Sequence, residues 1–113
     1  MKLTTDHIGT IAVVRVGEPR LMYPLLPAFA EAVAALFQSG ERKVVVDLSQ
    51  VSYIDSATLG CLMDLYRQAT AAGGTIKLAG VQKRVDMMLT MTGAQNFIEV
   101  HPDESSALKS FGG

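Results

Sequence analysis

The sequence predicts a single α/β domain, with a mostly parallel sheet of four to five strands, an antiparallel N-terminal strand and about four covering helices. The chain has 113 residues, of which 49% are hydrophobic, and this suits one domain with one core. Short runs rich in β-branched residues alternate with segments whose apolar residues recur at helical spacing. Glycines mark the ends of several of these segments.

The first half of the chain predicts a hairpin, a helix and a buried strand. A polar edge strand near Lys2–Asp6 and a turn at Gly9 lead into a strand over Ile11–Val16. Leu25–Phe37 follows with apolar residues at helical spacing, and two prolines lie near its start, where missing amide donors cost little. Lys43–Leu48 is then a continuous apolar run, which is typical of a parallel strand buried on both faces.

The second half predicts two more helices, a strand between them and a short C-terminal pair of elements. A helix begins near Ser56 and ends at two glycines, and the alternating strand Thr75–Ala79 follows it. Arg84–Met91 predicts a helix with Gly93 as its C-terminal cap. The last elements are a short strand over Phe97–Val100 and a helix that Asp103 or Ser105 caps and that runs to Phe111.

The order of these elements directs attention to one end of the molecule. Two consecutive β-α-β units imply parallel strands with right-handed crossovers. In such sheets, functional residues gather in the loops at the carboxyl ends of the strands. These loops are Gly17–Tyr23, Ser49–Asp55 and Gly80–Lys83, together with the start of the helix that follows.

Composition excludes several classes of protein. The formal net charge is -1, from ten basic and eleven acidic residues, and does not favour nucleic acid as a partner. The single cysteine, Cys61, fits a reducing compartment and predicts a small core residue. Met1–Thr10 lacks the apolar stretch of a signal peptide, and no run approaches the roughly 20 apolar residues that span a bilayer. We therefore expect a cytoplasmic protein without direct membrane insertion.

The segment Asp47–Gly60 is the most informative part of the chain. Ser56 lies at the expected start of a helix, where the free amides and the helix dipole favour an anion such as phosphate. An ordinary structural explanation also holds, because either Asp55 or Ser56 would serve as an N-cap. The ordinary explanation of Gly60 is close packing of the helix on the sheet.

The sequence contains no recognisable catalytic arrangement. A glycine-rich phosphate loop is missing, and the two histidines, His7 and His101, form no metal cluster with other residues. Ser56 has no histidine nearby in sequence that would act as its base. We expect no enzymatic activity, no metal and no cofactor.

The segment Val44–Gly60, VVVDLSQVSYIDSATLG, resembles the signature of the STAS family, in particular of bacterial anti-sigma factor antagonists. The pattern is a buried strand ending in Asp-Leu-Ser, a short loop with apolar residues, and Asp-Ser-x-x-Leu-Gly at the start of a helix. The resemblance continues through Gly73-Gly74, Leu78–Gly80 and Arg84–Gly93. The order of elements extends it over essentially the whole chain and implies a STAS-like fold.

The resemblance also implies a phosphorylation-switched regulator. In the family, the first serine after the loop aspartate is phosphorylated, and that position is Ser56 here, with Thr58 a poorer alternative. The kinase is itself an anti-sigma factor, of the histidine-kinase-like ATPase type, and it binds the unphosphorylated protein. A PP2C-type phosphatase restores the binding form. The predicted partner-binding residues are Glu18, Arg20, Met22, Tyr23, Asp55, Ser56, Ala57 and Thr58.

The sequence departs from the family pattern at two places. The family often has a Gly-Glu-Leu-Asp turn after the second strand, and Pro19 and Arg20 replace the leucine and the aspartate here. Because that aspartate belongs to the family's partner-facing surface, its absence weakens the expectation of the usual kinase partner. Arg20 would instead pair with a phosphate or with an acidic partner. Ala57 replaces the second serine of the common Asp-Ser-Ser form.

Other interpretations stay open. The altered turn favours a non-switched STAS scaffold subunit of a larger signalling or lipid-transport assembly. A small enzyme or nucleotide-binding protein is a third hypothesis, against which the missing base, metal site and phosphate loop count. Met87 and Met91 predict either a broadly buried helix or a soft, adaptable partner surface. The sequence leaves the oligomeric state open, including a homo-oligomer.

Overall fold

A computed structural model describes residues 1–112 of the chain. The strands and helices alternate along it after an N-terminal hairpin, as the sequence predicts. The strands are β1 (Leu3–Ile8), β2 (Ile11–Val16), β3 (Arg20–Leu21), β4 (Lys43–Asp47), β5 (Tyr53–Ile54), β6 (Thr75–Ala79) and β7 (Val100–His101); the helices are α1 (Leu26–Gln38), α2 (Ser56–Ala71), α3 (Lys83–Thr92) and α4 (Glu104–Lys109).

The main sheet has five strands in the order β1-β2-β4-β6-β7. β1 and β2 form an antiparallel hairpin, whereas the other neighbouring strands are parallel. This confirms the predicted mostly parallel sheet with an antiparallel N-terminal strand. No helix within residues 1–112 has the length and apolar character needed to cross a membrane.

The continuous apolar character of β4 follows from helices on both faces of the sheet. Val14 and Val46 belong to the larger core cluster, which α1, α2 and α3 complete on one face. Val13 and Val45 point the other way and pack with Ala107 of α4 in a second cluster. Since successive side chains of a strand point to opposite faces, three valines in a row satisfy both layers.

The sequence did not predict a second sheet, which β3 and β5 form at the carboxyl ends of the main strands. Arg20 pairs with Tyr53 and Leu21 with Ile54 in parallel register. Leu21 and Ile54 are fully buried, so the alternate residues Arg20 and Tyr53 are directed outward. Each strand has only two residues, which is too short for a periodic signal.

The predicted last strand was displaced along the chain. We expected Phe97–Val100, but the strand is Val100–His101. A 3₁₀ turn at Ala94–Asn96 precedes it, and Phe97 is exposed while Ile98 reaches the core. Asp103, rather than Ser105, caps α4, because its Oδ1 accepts a hydrogen bond from the Ser106 amide at 2.8 Å.

The methionines of α3 divide between the core and the surface. Val85 and Leu89 are buried and Met88 packs against the core, as expected. Met87 is 56% exposed and Met91 is 82% exposed, so the alternative of a broadly buried helix is wrong. The outer methionines form an exposed stripe.

Two glycines serve opposite purposes. Gly80 has φ +70°, and a Cβ atom there would lie 2.9 Å from the Ser49 Cβ, so the loop after β6 requires glycine. Gly60 is exposed, and a Cβ atom there would meet nothing within 4 Å. The expectation that Gly60 permits close helix–sheet packing is therefore wrong, because this residue faces outward.

These glycines give a matched pair of stability predictions. Gly80→Ala should lower the free energy of unfolding by about 1–3 kcal/mol, because it forces a left-handed backbone and a close contact. Gly60→Ala should raise it by up to about 1 kcal/mol, because alanine favours the helix and has open space. Urea denaturation of both variants measures the two changes. Equal effects of the two substitutions would contradict the assigned roles.

Candidate functional site

Two of the three predicted loops meet the first turn of α3 around one cavity at the carboxyl end of the sheet. The cavity has a volume of about 390 Å³. It is lined by Arg20 and Met22 from the first loop, Ser52 and Tyr53 from the second, and Arg84 from α3. The Ser52 amide and hydroxyl both donate to the Pro19 carbonyl, at 2.8 and 3.0 Å, and hold the first two loops together.

Asp55 fixes the start of α2 beside this cavity. It is the N-cap, and its Oδ1 accepts hydrogen bonds from the Thr58 amide at 2.9 Å and the Thr58 hydroxyl at 2.7 Å. Its Oδ2 accepts from the Tyr23 amide at 3.1 Å. The Thr58 side-chain hydrogen bond is the largest cause that lowers the pKa of Asp55 below its ordinary value. Asp55 is therefore the cap, and Ser56 is not.

Thr58 has a structural role. It is fully buried, and its hydroxyl shares its one proton between Asp55 Oδ1 and the Leu21 carbonyl oxygen, which lies 2.6 Å away. A kinase cannot reach a hydroxyl enclosed in this way without opening the start of the helix. This burial favours Ser56 over Thr58 as the accessible hydroxyl and as a partner contact.

Ser56 has the opposite environment. It is the first residue of α2 and is exposed, as is its neighbour Ala57. Among residues 1–112, no side-chain hydrogen bond involves the Ser56 hydroxyl, whereas the nearby Ser52 and Thr58 hydroxyls are engaged. Ser56 thus offers an accessible hydroxyl at a helix N-terminus.

The remaining predicted partner-binding residues differ in accessibility. Tyr23 is 71% exposed and Arg20 is exposed, whereas Met22 is partly buried. The Glu18 Oε2 accepts a hydrogen bond from the Lys2 amide at 2.7 Å, which ties the loop to β1. Arg84 was not among the predicted partner-binding residues, although the start of its helix was expected at this end of the sheet. The only feature of the sequence that would have pointed to Arg84 as a site residue is its position in the first turn of the helix after β6.

A second cavity lies between α1 and α2, next to Ser56. Its volume is about 440 Å³, and its lining includes Tyr23, Ala57, Gly60 and Cys61. Cys61 is half-buried rather than fully buried, and burial is the largest cause that raises the pKa of its thiol. A raised pKa disfavours the reactive thiolate. This groove continues the exposed surface of α2 away from its N-terminus.

The two histidines contact acidic residues rather than Ser56. His7 contacts Glu41, and His101 contacts Glu99, so neither ring is paired with Ser56. Within residues 1–112, no three histidine, cysteine or acidic side chains gather closely enough to hold a metal ion. An exposed serine without a base has no activated nucleophile.

The model of the family described as STAS domain matches residues 2–107. An anti-sigma factor antagonist homologue from Thermotoga neapolitana is 28% identical over 74 residues, which are 66% of this chain and 66% of that protein. The anti-sigma-B factor antagonist of Staphylococcus aureus is 27% identical over 88 residues, which are 78% of this chain and 81% of that protein.

Solved structures show the same fold. A STAS domain protein from Planctomyces limnophilus matches with a TM-score of 0.89 and 19% identity, covering 98% of both chains. The phosphorylated form of SpoIIAA, the Bacillus cell fate determinant, matches with a TM-score of 0.74 and 13% identity, covering 97% of this chain and 99% of that one.

The Asp55 geometry yields a prediction about stability and pH. Asp55→Ala should lower the free energy of unfolding at neutral pH by about 1–2 kcal/mol, because it removes the N-cap. The lowered folded-state pKa means that this stabilisation is present above pH 3.8, the ordinary value, and is lost as pH falls below it.

Urea denaturation of the wild type and of Asp55→Ala across the acidic range measures this difference. Ser56→Ala is the control, and it should change stability by less than about 0.5 kcal/mol because its hydroxyl is exposed. A difference between the wild type and Asp55→Ala that stays constant down to the lowest pH would contradict the role of the Asp55 carboxylate.

Proposed function

This chain belongs to the STAS domain family, and on that basis we propose that it is a cytoplasmic partner-binding regulator whose binding is switched by phosphorylation of Ser56. The supporting observation is the exposed Ser56 hydroxyl, free of side-chain hydrogen bonds to residues 1–112, at the N-terminus of α2. The relatives named as anti-sigma factor antagonists support an anti-sigma factor as the partner.

The unphosphorylated form is the binding form in this proposal. The partner is an anti-sigma factor that is also a serine kinase of the histidine-kinase-like ATPase type, and a PP2C-type phosphatase reverses the modification. A solved structure of SpoIIAA in its phosphorylated form supports modification as a regulatory principle of this fold. Within residues 1–112, His7 and His101 contact glutamates rather than Ser56, which supports a substrate of a kinase rather than an enzyme.

The local structure accepts a phosphate without refolding. A phosphoserine carries about −1.5 to −2 charges, which a helix N-terminus tolerates well. Asp55 stays bound to Thr58 and Tyr23, so the cap needs no rearrangement. The added charge would therefore act on the partner, through repulsion and the cost of removing water from the phosphate.

We predict that Ser56→Asp weakens partner binding, although one carboxylate reproduces only part of a phosphate's charge. The loss should be about fivefold or more, equivalent to about 1 kcal/mol for one unfavourable charge at an interface. Ser56→Ala should bind as the wild type does. Calorimetry with the partner captured from the native host measures all three affinities.

Ser105 provides a matched control for this charge. It is also an exposed serine in the first turn of a helix, but it belongs to α4 on the other face of the sheet. Ser105→Asp should leave partner binding unchanged. If peptide mapping of the native protein never finds phosphate on Ser56 under any growth condition, the switch is refuted. The non-switched scaffold in a larger assembly then becomes the better interpretation.

A separate prediction concerns where the partner docks. Tyr23→Ala should weaken binding by about tenfold, because an exposed tyrosine between the two cavities is a typical interface anchor. The fold should not change, since the side chain is 71% exposed. Hydrogen exchange on the complex should show protection in residues 17–23 and 49–58. Protection confined to α4 would overturn this location.

A further inference from the structure

The cavity formed by Arg20, Met22, Ser52, Tyr53 and Arg84 contains an imbalance of charge. Two of its five lining residues are arginines, and none carries a carboxylate. Lys83, next to Arg84 in the chain, is exposed as well. Although the whole chain has a formal net charge of -1, the lining of this cavity is positive.

The acidic groups near this cavity are not paired with its arginines. Asp86 lies in the first turn of α3, and within residues 1–112 it makes no ion pair or side-chain hydrogen bond with Lys83 or Arg84. Asp55 is occupied by Thr58 and by the Tyr23 amide, and Glu18 by the Lys2 amide. Within residues 1–112, no ion pair or side-chain hydrogen bond involves Arg20, Lys83 or Arg84. These three cations are therefore available to an outside group.

The two arginines are held in place by different elements. Arg20 stands on β3, where the buried Leu21 beside it forces the arginine outward. Arg84 lies in the first turn of α3, whose N-cap residue Gln82 makes no side-chain cap and instead donates its Nε2 to the Ser49 carbonyl at 2.8 Å. The uncapped amides of a ten-residue helix add positive potential beside Arg84.

This arrangement fits a carboxylate that is part of a peptide. Guanidinium groups bind carboxylates through paired, charge-assisted hydrogen bonds. The Tyr53 ring and the Met22 side chain add apolar contact area within the same cavity. A free small anion would not need those apolar neighbours.

We propose that this cavity binds a glutamate or aspartate side chain from an acidic segment of the protein partner. The inference rests on the proposed function, because it assigns the chemistry of the partner that docks beside Ser56. It also gives a physical reason for the switch, since a phosphate on Ser56 would bring negative charge close to an acidic segment.

Nuclear magnetic resonance can test the cavity without the native partner. The probe is a blocked peptide of alternating glutamate and leucine, and its counterpart has glutamine in place of glutamate. The glutamate peptide should cause saturable shifts at Arg20, Tyr53 and Arg84, and the glutamine peptide should not. Arg20→Glu should weaken peptide binding by about tenfold to a hundredfold, as expected for a lost charged hydrogen bond.

Arg42→Glu is the matched control. Arg42 is an exposed arginine at the opposite end of the sheet, where it only donates to the Glu41 carbonyl. This variant should bind the peptide as the wild type does. If Arg20→Glu fails to fold, which its amide spectrum would show, Arg84→Glu provides the same test from α3.

Three results would overturn the inference. A glutamate peptide that shifts no resonance of the wild type removes the carboxylate site. A glutamate peptide that binds Arg20→Glu and the wild type with equal affinity also removes it. Inorganic phosphate that saturates the same residues at a lower concentration than the peptide would identify a small-anion site instead.

Binding of the captured partner separates this inference from the proposed function. If Arg20→Glu binds the captured partner as the wild type does and Ser56→Asp binds it more weakly, the acidic segment is refuted and the phosphorylation switch is supported. If Arg20→Glu binds the partner more weakly and Ser56→Asp binds it as the wild type does, the acidic segment is supported and the phosphorylation switch is refuted.

Discussion

The carboxylate of Asp55 organises the functional end of the molecule. One oxygen caps α2 through the Thr58 amide and hydroxyl, and the other binds the Tyr23 amide in the neighbouring loop. The Thr58 hydroxyl extends this network to the Leu21 carbonyl of β3. One side chain thus joins the short second sheet, the start of α2 and the loop before α1. The positions of Tyr23 and of the exposed Ser56 depend on that network.

The same network separates structural from available groups. Ser52 and Thr58 use their hydroxyls to join neighbouring segments, while Ser56, which lies between them in the sequence, is left exposed. Because the cap is made by Asp55, the chemistry of Ser56 can change without loss of the helix start. This division explains how an accessible hydroxyl can lie at the start of a helix without serving as its cap. A loop would give the same access but would not hold the serine in a fixed position.

Most of the fold could be predicted because burial leaves a periodic record in the sequence. The valines of β4 and the helical spacing of α2 each extend over enough residues to be recognised. The two-residue strands β3 and β5 and the shifted β7 are too short for that, and they depend on contacts between distant segments. The loops of the site were located from topology, and Ser56 from the motif. The burial of Thr58, the outward direction of Gly60 and the convergence of Arg84 with Arg20 required the folded chain.

The ion pairs of the sheet are concentrated on the face that α4 covers. On the face that α4 covers, Arg15 bridges Asp6 and Glu104, and the buried Lys77 contacts Glu99 and lies over the Phe111 ring. Those cations help to hold the short helix α4, which shares only a small apolar cluster with the sheet. The acidic residues that they engage do not line the cavity of Arg20 and Arg84. A chain with nearly balanced charge can therefore present a locally positive surface. The reason is that several of its ion pairs lie on the α4 face and leave Arg20 and Arg84 unpaired within residues 1–112, and not that its composition is basic.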